Sequence, residues 1–78
     1  MKVQVLGTGC AKCRALVERV RAAADAAGVA CEVEKVEDVA AIMAFGVMAT
    51  PALVVEGKVR AAGRLPSVEE LKGFLTGG

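Results

Sequence analysis

Apolar and polar residues repeat along this chain with two periods, one typical of strands and one typical of helices. Lys2–Leu6 alternates polar and apolar positions and ends at Gly7, which predicts a short strand followed by a turn. From residue 11 to residue 27 the apolar positions follow helical spacing, and Gly28 stands where a helix would end. Residues 29–35 alternate again with glutamates on one face, which favours a strand at the edge of a sheet.

The second half of the chain predicts a helix, two strands and a final helix. Asp38 is placed to cap a short helix that ends ahead of the next strand. Ala52–Val55 is a continuous apolar run, which favours a strand buried on both faces, and a tight turn leads from it into a strand over residues 59–62. Ser67 and Glu70 have the spacing of a capping box in front of the last amphipathic helix.

This order of elements predicts an α/β fold of the form βαβαββα. The first strand, helix and strand form a crossover unit, so those two strands are expected to run parallel. The following hairpin adds two antiparallel strands, which gives a four-stranded mixed sheet flanked by three helices. Because the 78 residues contain no linker or repeat, we expect a single domain over residues 1–78.

Composition narrows the classes of function. The net charge is only +1, and Phe45 and Phe74 are the only aromatic residues, so neither the charge nor the stacking surface of a nucleic-acid-binding protein is present. The longest uncharged stretch, residues 39–55, is interrupted by a glycine and a proline, which argues against a membrane span. The amino terminus leads directly into a strand with no signal sequence, so we expect a cytoplasmic protein.

Cys10 and Cys13 stand where the first strand gives way to the first helix. Three-residue spacing in the first turn of a helix puts two sulfurs on one face and brings the Cα atoms to about 5 Å, within the disulfide range. The helix N-terminus supplies unpaired N–H groups and the positive end of the macrodipole, which stabilise a thiolate. In the cytoplasm, where structural disulfides are rare, the pair therefore indicates reversible thiol–disulfide exchange.

The two cysteines are expected to have different roles. Cys10, nearer the helix N-terminus and more exposed, is the predicted nucleophile, and Cys13 is the predicted resolving cysteine. Lys12 adds positive charge that would lower the pKa of Cys10. Because the cysteines themselves carry the two electrons, no cofactor and no metal are expected.

Three segments of the chain resemble the thioredoxin-like superfamily, most nearly its very small, glutaredoxin-sized members from bacteria and archaea. They are Cys10-Ala11-Lys12-Cys13, the segment Phe45–Val55, and Glu56–Val59 followed by Gly63. The resemblance covers essentially the whole chain and implies a minimal thioredoxin-like fold with a cis-proline at Pro51. It also implies that Thr50 and Pro51 lie beside the cysteine pair and hold the backbone of an extended peptide substrate.

The resemblance further implies the partners. We expect disulfide-containing protein substrates, a thioredoxin-reductase-type electron donor or a thiol pool, and a monomer with no nucleic-acid or membrane partner. The chain departs from thioredoxins at Gly9, where an aromatic residue is common, and at Ala11-Lys12, where Gly-Pro is usual. It also has no acidic residue in the first strand. The redox potential, the electron donor and the dependence on glutathione therefore stay open.

A soft-metal carrier that uses the same two sulfurs is the alternative function. A thiolate pair in a loop after a first strand resembles the copper-chaperone domains and would suit Cu(I), or zinc shared by two chains. Those domains run strand, helix, strand, strand, helix, strand, however, and their methionine two residues before the first cysteine is Thr8 here. A third possibility is an adaptor with the same fold that docks partners without turnover.

Three other sulfur-containing residues are interpreted as structural. Cys31 is expected on the inward face of its strand, where it acts as a small hydrophobic residue. Met43 and Met48 are expected to fill gaps in the core, with a substrate-contacting surface as the alternative for Met48.

Overall fold

The computed structural model describes residues 1–9 and 11–77. Within that range the elements are, in chain order, β1 (Lys2–Leu6), α1 (Ala11–Ala27), β2 (Glu32–Val36), α2 (Val39–Ala44), β3 (Ala52–Val55), β4 (Lys58–Ala62) and α3 (Val68–Leu75). The predicted order βαβαββα is confirmed.

The sheet has the strand order β2-β1-β3-β4. β1 and β2 run parallel, whereas β1 with β3 and β3 with β4 run antiparallel. The prediction of a four-stranded mixed sheet is therefore confirmed, and β2 is the edge strand that its half-polar pattern indicates. β3 lies between β1 and β4, and all four of its residues are buried.

β2 begins three residues later than the alternation predicts, because the end of α1 uses part of the predicted strand. Gly28 adopts φ +68, and the Val29 N–H donates to the Ala24 carbonyl at 2.9 Å, which closes the helix. The strand ladder starts only where the Glu32 N–H donates to the Met1 carbonyl at 2.8 Å. Residues 29–31 are therefore a connection and not part of the strand.

Two apolar layers cover the two faces of the sheet. Val3 and Val5 of β1 pack in one core cluster with Leu53 of β3 and with buried side chains of α1 and α3. Leu6 packs in a second cluster on the other face, with Ile42 of α2 and alternate residues of β3. The helices α1 and α3 thus lie on one face and α2 on the other, as expected for strands whose side chains alternate.

The predicted caps and the hairpin are also confirmed. Asp38 accepts a hydrogen bond from the Ala41 N–H at the start of α2, and Ser67 and Glu70 form the capping box of α3. Glu56 and Gly57 join β3 to β4 with φ angles of 49 and 81, the positive values that a two-residue hairpin turn requires.

Candidate functional site

The functional site predicted from the sequence lies where β1 ends and α1 begins. β1 stops at Leu6, the Gly7 N–H donates to the Val36 carbonyl at 3.0 Å, and α1 starts at Ala11. Cys10, the predicted nucleophile, lies outside the described residues. Cys13 lies in the first turn of α1 with an exposed fraction of 6%, so the second cysteine is buried as predicted.

The side chain of Cys13 lies against the backbone of Gly7. A Cβ built on Gly7 would overlap the Sγ of Cys13 and would lie 3.4 Å from the Cβ of Cys13. This Cβ built on Gly7 would also lie 3.8 Å from the Cβ of Thr50. The side chains of Cys13 and Thr50 therefore flank one buried position on the backbone, and a glycine occupies it.

Thr50 and Pro51 reach this position because of the register of the sheet. Leu6 of β1 pairs with Ala52 of the antiparallel strand β3. Gly7, which follows Leu6, and Pro51, which precedes Ala52, therefore lie at the same end of the sheet. The Thr50–Pro51 peptide bond is cis, which confirms that prediction. Pro51 is fully buried and Thr50 is exposed.

Two openings of opposite character flank Cys13 and Thr50. A cavity of about 200 Å³ reaches Cys13 between α1 and β2, and charged residues border it, namely Arg14, Lys35 and Glu37. On the α2 face, a groove of about 320 Å³ begins at Thr50 and is lined by uncharged residues throughout. The charged cavity lies beside the buried sulfur, and the uncharged groove lies beside the cis-proline.

The uncharged groove overturns the prediction that Met43 and Met48 fill the core. Met48 is 100% exposed and Met43 is 68% exposed, and both line the groove with Val39, which is 57% exposed. Met43 lies on α2, of which only Ile42 is buried, whereas Met48 lies in the connection between α2 and β3. Helical neighbours point about 100° apart, so Met43 faces solvent when Ile42 faces the sheet.

The charged residues within the first turn of α1 are basic. Lys12 and Arg14 are exposed, and the first turn of this helix contains no acidic residue. Lys12 therefore lies where the sequence predicted it, at the positive end of the α1 macrodipole. Its effect on Cys10 stays a prediction.

Cys31 is not brought to this site. It is half-buried and packs against the larger core cluster, as expected for a small hydrophobic residue. The prediction that it lies on a strand is wrong, because β2 begins only at Glu32 and Cys31 belongs to the connection before it. It lines a surface depression with Arg21 and Asp25, more than two helical turns along α1 from Cys13. Residues 1–9 and 11–77 contain no group of three or more cysteine or carboxylate side chains arranged to hold a metal ion.

Sequence reasoning missed Gly7 as a site residue. It identified Gly7 only as a turn former after β1. The φ of Gly7 is not in the left-handed region, unlike that of Gly9. The backbone therefore does not require glycine at position 7, and the reason for it is visible only when Cys13 is packed against it.

A mixed four-stranded sheet, a buried cysteine in the first turn of the helix after β1, and a cis-proline leading into the central strand define a thioredoxin-like protein. The sequence profile described as thioredoxin domain matches residues 1–76. The chain therefore belongs to the thioredoxin domain family, and the resemblance noted from its motifs is confirmed.

Two relatives extend this result. The chain is 40% identical over 76 residues to a thioredoxin of Methanothermobacter thermautotrophicus, with 97% of this chain and 99% of the relative covered. It is 37% identical over 70 residues to a thioredoxin of Methanocaldococcus jannaschii, with 90% of this chain and 80% of the relative covered. These matches support a thioredoxin-like redox protein. Across the described part of the chain, no helix has both the length and the apolar character needed to cross a membrane.

Proposed function

We propose that this protein is a thiol–disulfide oxidoreductase that cycles between a Cys10–Cys13 dithiol and the corresponding disulfide. The observation that carries the proposal is the contact at Gly7, where a buried cysteine sulfur and the residue before a cis-proline border the same point. This arrangement supports the assignment of Thr50 and Pro51 to substrate binding beside a reactive thiol. Membership of the thioredoxin domain family supports the same chemistry.

The reaction has two exchange steps. The Cys10 thiolate attacks one sulfur of a substrate disulfide, which forms a mixed disulfide and releases the other substrate sulfur as a thiolate. The Cys13 thiolate then attacks the Cys10 sulfur, which forms the Cys10–Cys13 bond and releases the second substrate sulfur. The substrate has gained two electrons, and the protein has lost them.

The environment of Cys13 suits the second step. With 6% of its surface exposed, Cys13 is shielded from the disulfides of other molecules. Its attack is therefore directed to a partner that is already attached to the protein. We assign the nucleophilic role to Cys10, which precedes Ala11 in the sequence, and the thiolate-stabilising role to Lys12 in the first turn of α1.

Thr50, Pro51 and the uncharged groove supply the substrate-binding surface. We assign Thr50 and Pro51 to pairing with the extended backbone around the substrate cysteine. The groove that starts at Thr50 and includes Met43 and Met48 offers apolar contact to the residues that flank that cysteine. Such contact favours protein substrates over small aromatic disulfides, which have no flanking residues.

The proposal includes the working context. A thioredoxin-reductase-type partner or a thiol pool returns two electrons to the oxidised protein. The domain, residues 1–78, acts as a monomer in the cytoplasm, where the disulfides of protein substrates are transient.

A redox titration tests the proposal. The protein is equilibrated in defined thiol–disulfide buffers, its free thiols are alkylated, and the mass is read. We expect one two-electron transition of Cys10 and Cys13 between about −180 and −300 mV, the range of known exchange catalysts. Absence of a Cys10–Cys13 disulfide over this range contradicts the proposal. Metal that co-purifies with the reduced protein and persists through the titration supports the soft-metal carrier instead.

Three cysteine variants complete the test. Cys10→Ser is expected to abolish reduction of a protein disulfide, and Cys13→Ser is expected to accumulate the mixed disulfide with the substrate. Cys31→Ser is the matched control, because Cys31 lies against the core away from Cys13, and its turnover should equal that of the unmodified protein. Normal turnover by Cys10→Ser would show that the nucleophile is a different residue.

A further inference from the structure

We propose that Gly7 is a positioning residue for the resolving step, because the missing side chain at this position is the space that the Cys13 sulfur occupies. The inference rests on the proposed function and adds a residue to it. Gly7 does not react with substrate; it acts through the placement of Cys13.

The backbone at Gly7 has little freedom to move away from the sulfur. Gly7 is buried, follows directly on β1, and donates its N–H to the Val36 carbonyl at 3.0 Å. A side chain at position 7 would overlap the Cys13 sulfur while the backbone stays hydrogen-bonded to β2. The sulfur is therefore the group that must move when Gly7 is replaced.

The displaced sulfur has space to enter. The cavity between α1 and β2 has a volume of about 200 Å³, and both Gly7 and Cys13 line it. A methyl group at position 7 is therefore expected to turn the Cys13 sulfur away from Thr50 and towards this cavity, without unfolding the protein. The displaced Cys13 sulfur is then poorly positioned to attack the Cys10 sulfur of a mixed disulfide.

We expect Gly7→Ala to slow the resolving step and not the attack by Cys10. No bond to the Cys13 sulfur forms or breaks when Cys10 attacks a disulfide. In the resolving step, by contrast, the Cys13 sulfur must meet the Cys10 sulfur while the bond from Cys10 to the substrate breaks. Since misplacement by about 1 Å can slow a reaction by about a hundredfold, we expect Gly7→Ala to slow resolution at least about tenfold.

The experiment separates the two steps with an aromatic disulfide whose thiolate product absorbs light. Reduced protein carrying Cys31→Ser releases one aromatic thiolate when Cys10 attacks, and a second when Cys13 resolves the mixed disulfide. With Gly7→Ala we expect the first release within about twofold of the parent and the second at least about tenfold slower. Gly73→Ala is the matched control, because a Cβ at Gly73 meets no atom within 4 Å, and both its rates should equal those of the parent.

A stability measurement tests the placement of the sulfur independently of the reaction. In reduced protein, Gly7→Ala is expected to raise the unfolding equilibrium constant at least about tenfold, which corresponds to about 1.4 kcal/mol. In a Cys13→Ala background, which lacks the sulfur, the same substitution should raise it less than about threefold. This comparison measures the contact between position 7 and the sulfur even if the protein catalyses no exchange.

The outcomes are distinguishable. If Gly7→Ala resolves the mixed disulfide as fast as Gly73→Ala, or if its stability cost is the same with and without the Cys13 sulfur, the role of Gly7 is refuted. If the parent releases no aromatic thiolate at all, the proposed function fails, and the stability comparison still decides whether Gly7 accommodates the sulfur.

Discussion

Replacing the exposed methionines of the uncharged groove by glutamine should reduce turnover of protein disulfides and leave turnover of small disulfides unchanged. Met43 and Met48 expose 68% and 100% of their surface, so neither contributes to the packed core. Glutamine has nearly the same length as methionine but replaces its apolar end by an amide. The change therefore tests apolar contact with substrate, with little change in shape.

The expected magnitude follows from the exposure of the two side chains. Complete burial of a methionine contributes about 1.5–3 kcal/mol, and a side chain at a binding surface is covered only in part. For the pair, a loss of about 1–2 kcal/mol corresponds to a decrease of roughly 5- to 30-fold in kcat/KM for a protein disulfide. The free energy of unfolding should change by less than about 0.5 kcal/mol, because surface substitutions of this kind have small effects.

The assay compares two substrates and two sites. Reduction of a disulfide-bonded protein and of a small aromatic disulfide is measured for Met43→Gln with Met48→Gln, and for Val59→Thr as control. Val59 is also an exposed apolar residue, at 41%, but it lies on β4 outside the groove. The reasoning is refuted if the methionine variant reduces the protein disulfide at the parent rate, or if both substrates slow equally.

Two further predictions concern stability and charge. Leu53→Ala, in the central strand at 0% exposure, should lower the free energy of unfolding by about 2–5 kcal/mol in chemical denaturation, and a loss below about 1 kcal/mol would contradict the packing described for β3. Lys12→Glu should slow alkylation of Cys10 at neutral pH about two- to fivefold, because it places negative charge in the first turn of α1, and high salt should reduce the difference. Lys58→Glu makes the same charge change at the far hairpin and should leave the rate unaltered; equal slowing in both variants would argue against a local effect.

Local signals in the sequence predicted most of the elements. The helical spacing and Gly28 predicted α1 with its observed bounds, and the continuous apolar run predicted the buried central strand β3. The capping box of Ser67 and Glu70 located the start of α3. These signals work because hydrophobic periodicity and helix caps depend on residues within one or two turns of each other.

Two predictions failed where the outcome depended on packing. The pattern extended β2 back to residue 29, but the Val29 N–H closes α1, and the pairing of β2 with β1 begins at Glu32. Met43 and Met48 were assigned to the core on hydrophobicity alone. Met43 is exposed because α2 turns Ile42 to the sheet, and Met48 is exposed in the connection that follows α2.

The candidate site was also predictable only in part from the sequence. The spacing of Cys10 and Cys13 predicted the candidate residues for exchange, and the resemblance to the thioredoxin-like superfamily predicted the cis-proline at Pro51. The register of the sheet, which pairs Leu6 with Ala52, decided that Gly7, Cys13 and Thr50 meet. The sequence by itself determined which residues are candidates for the chemistry, because reactivity depends on residue type and local spacing. Only the tertiary structure decided that a glycine must face the buried sulfur, since that requirement comes from contact between atoms on separate elements.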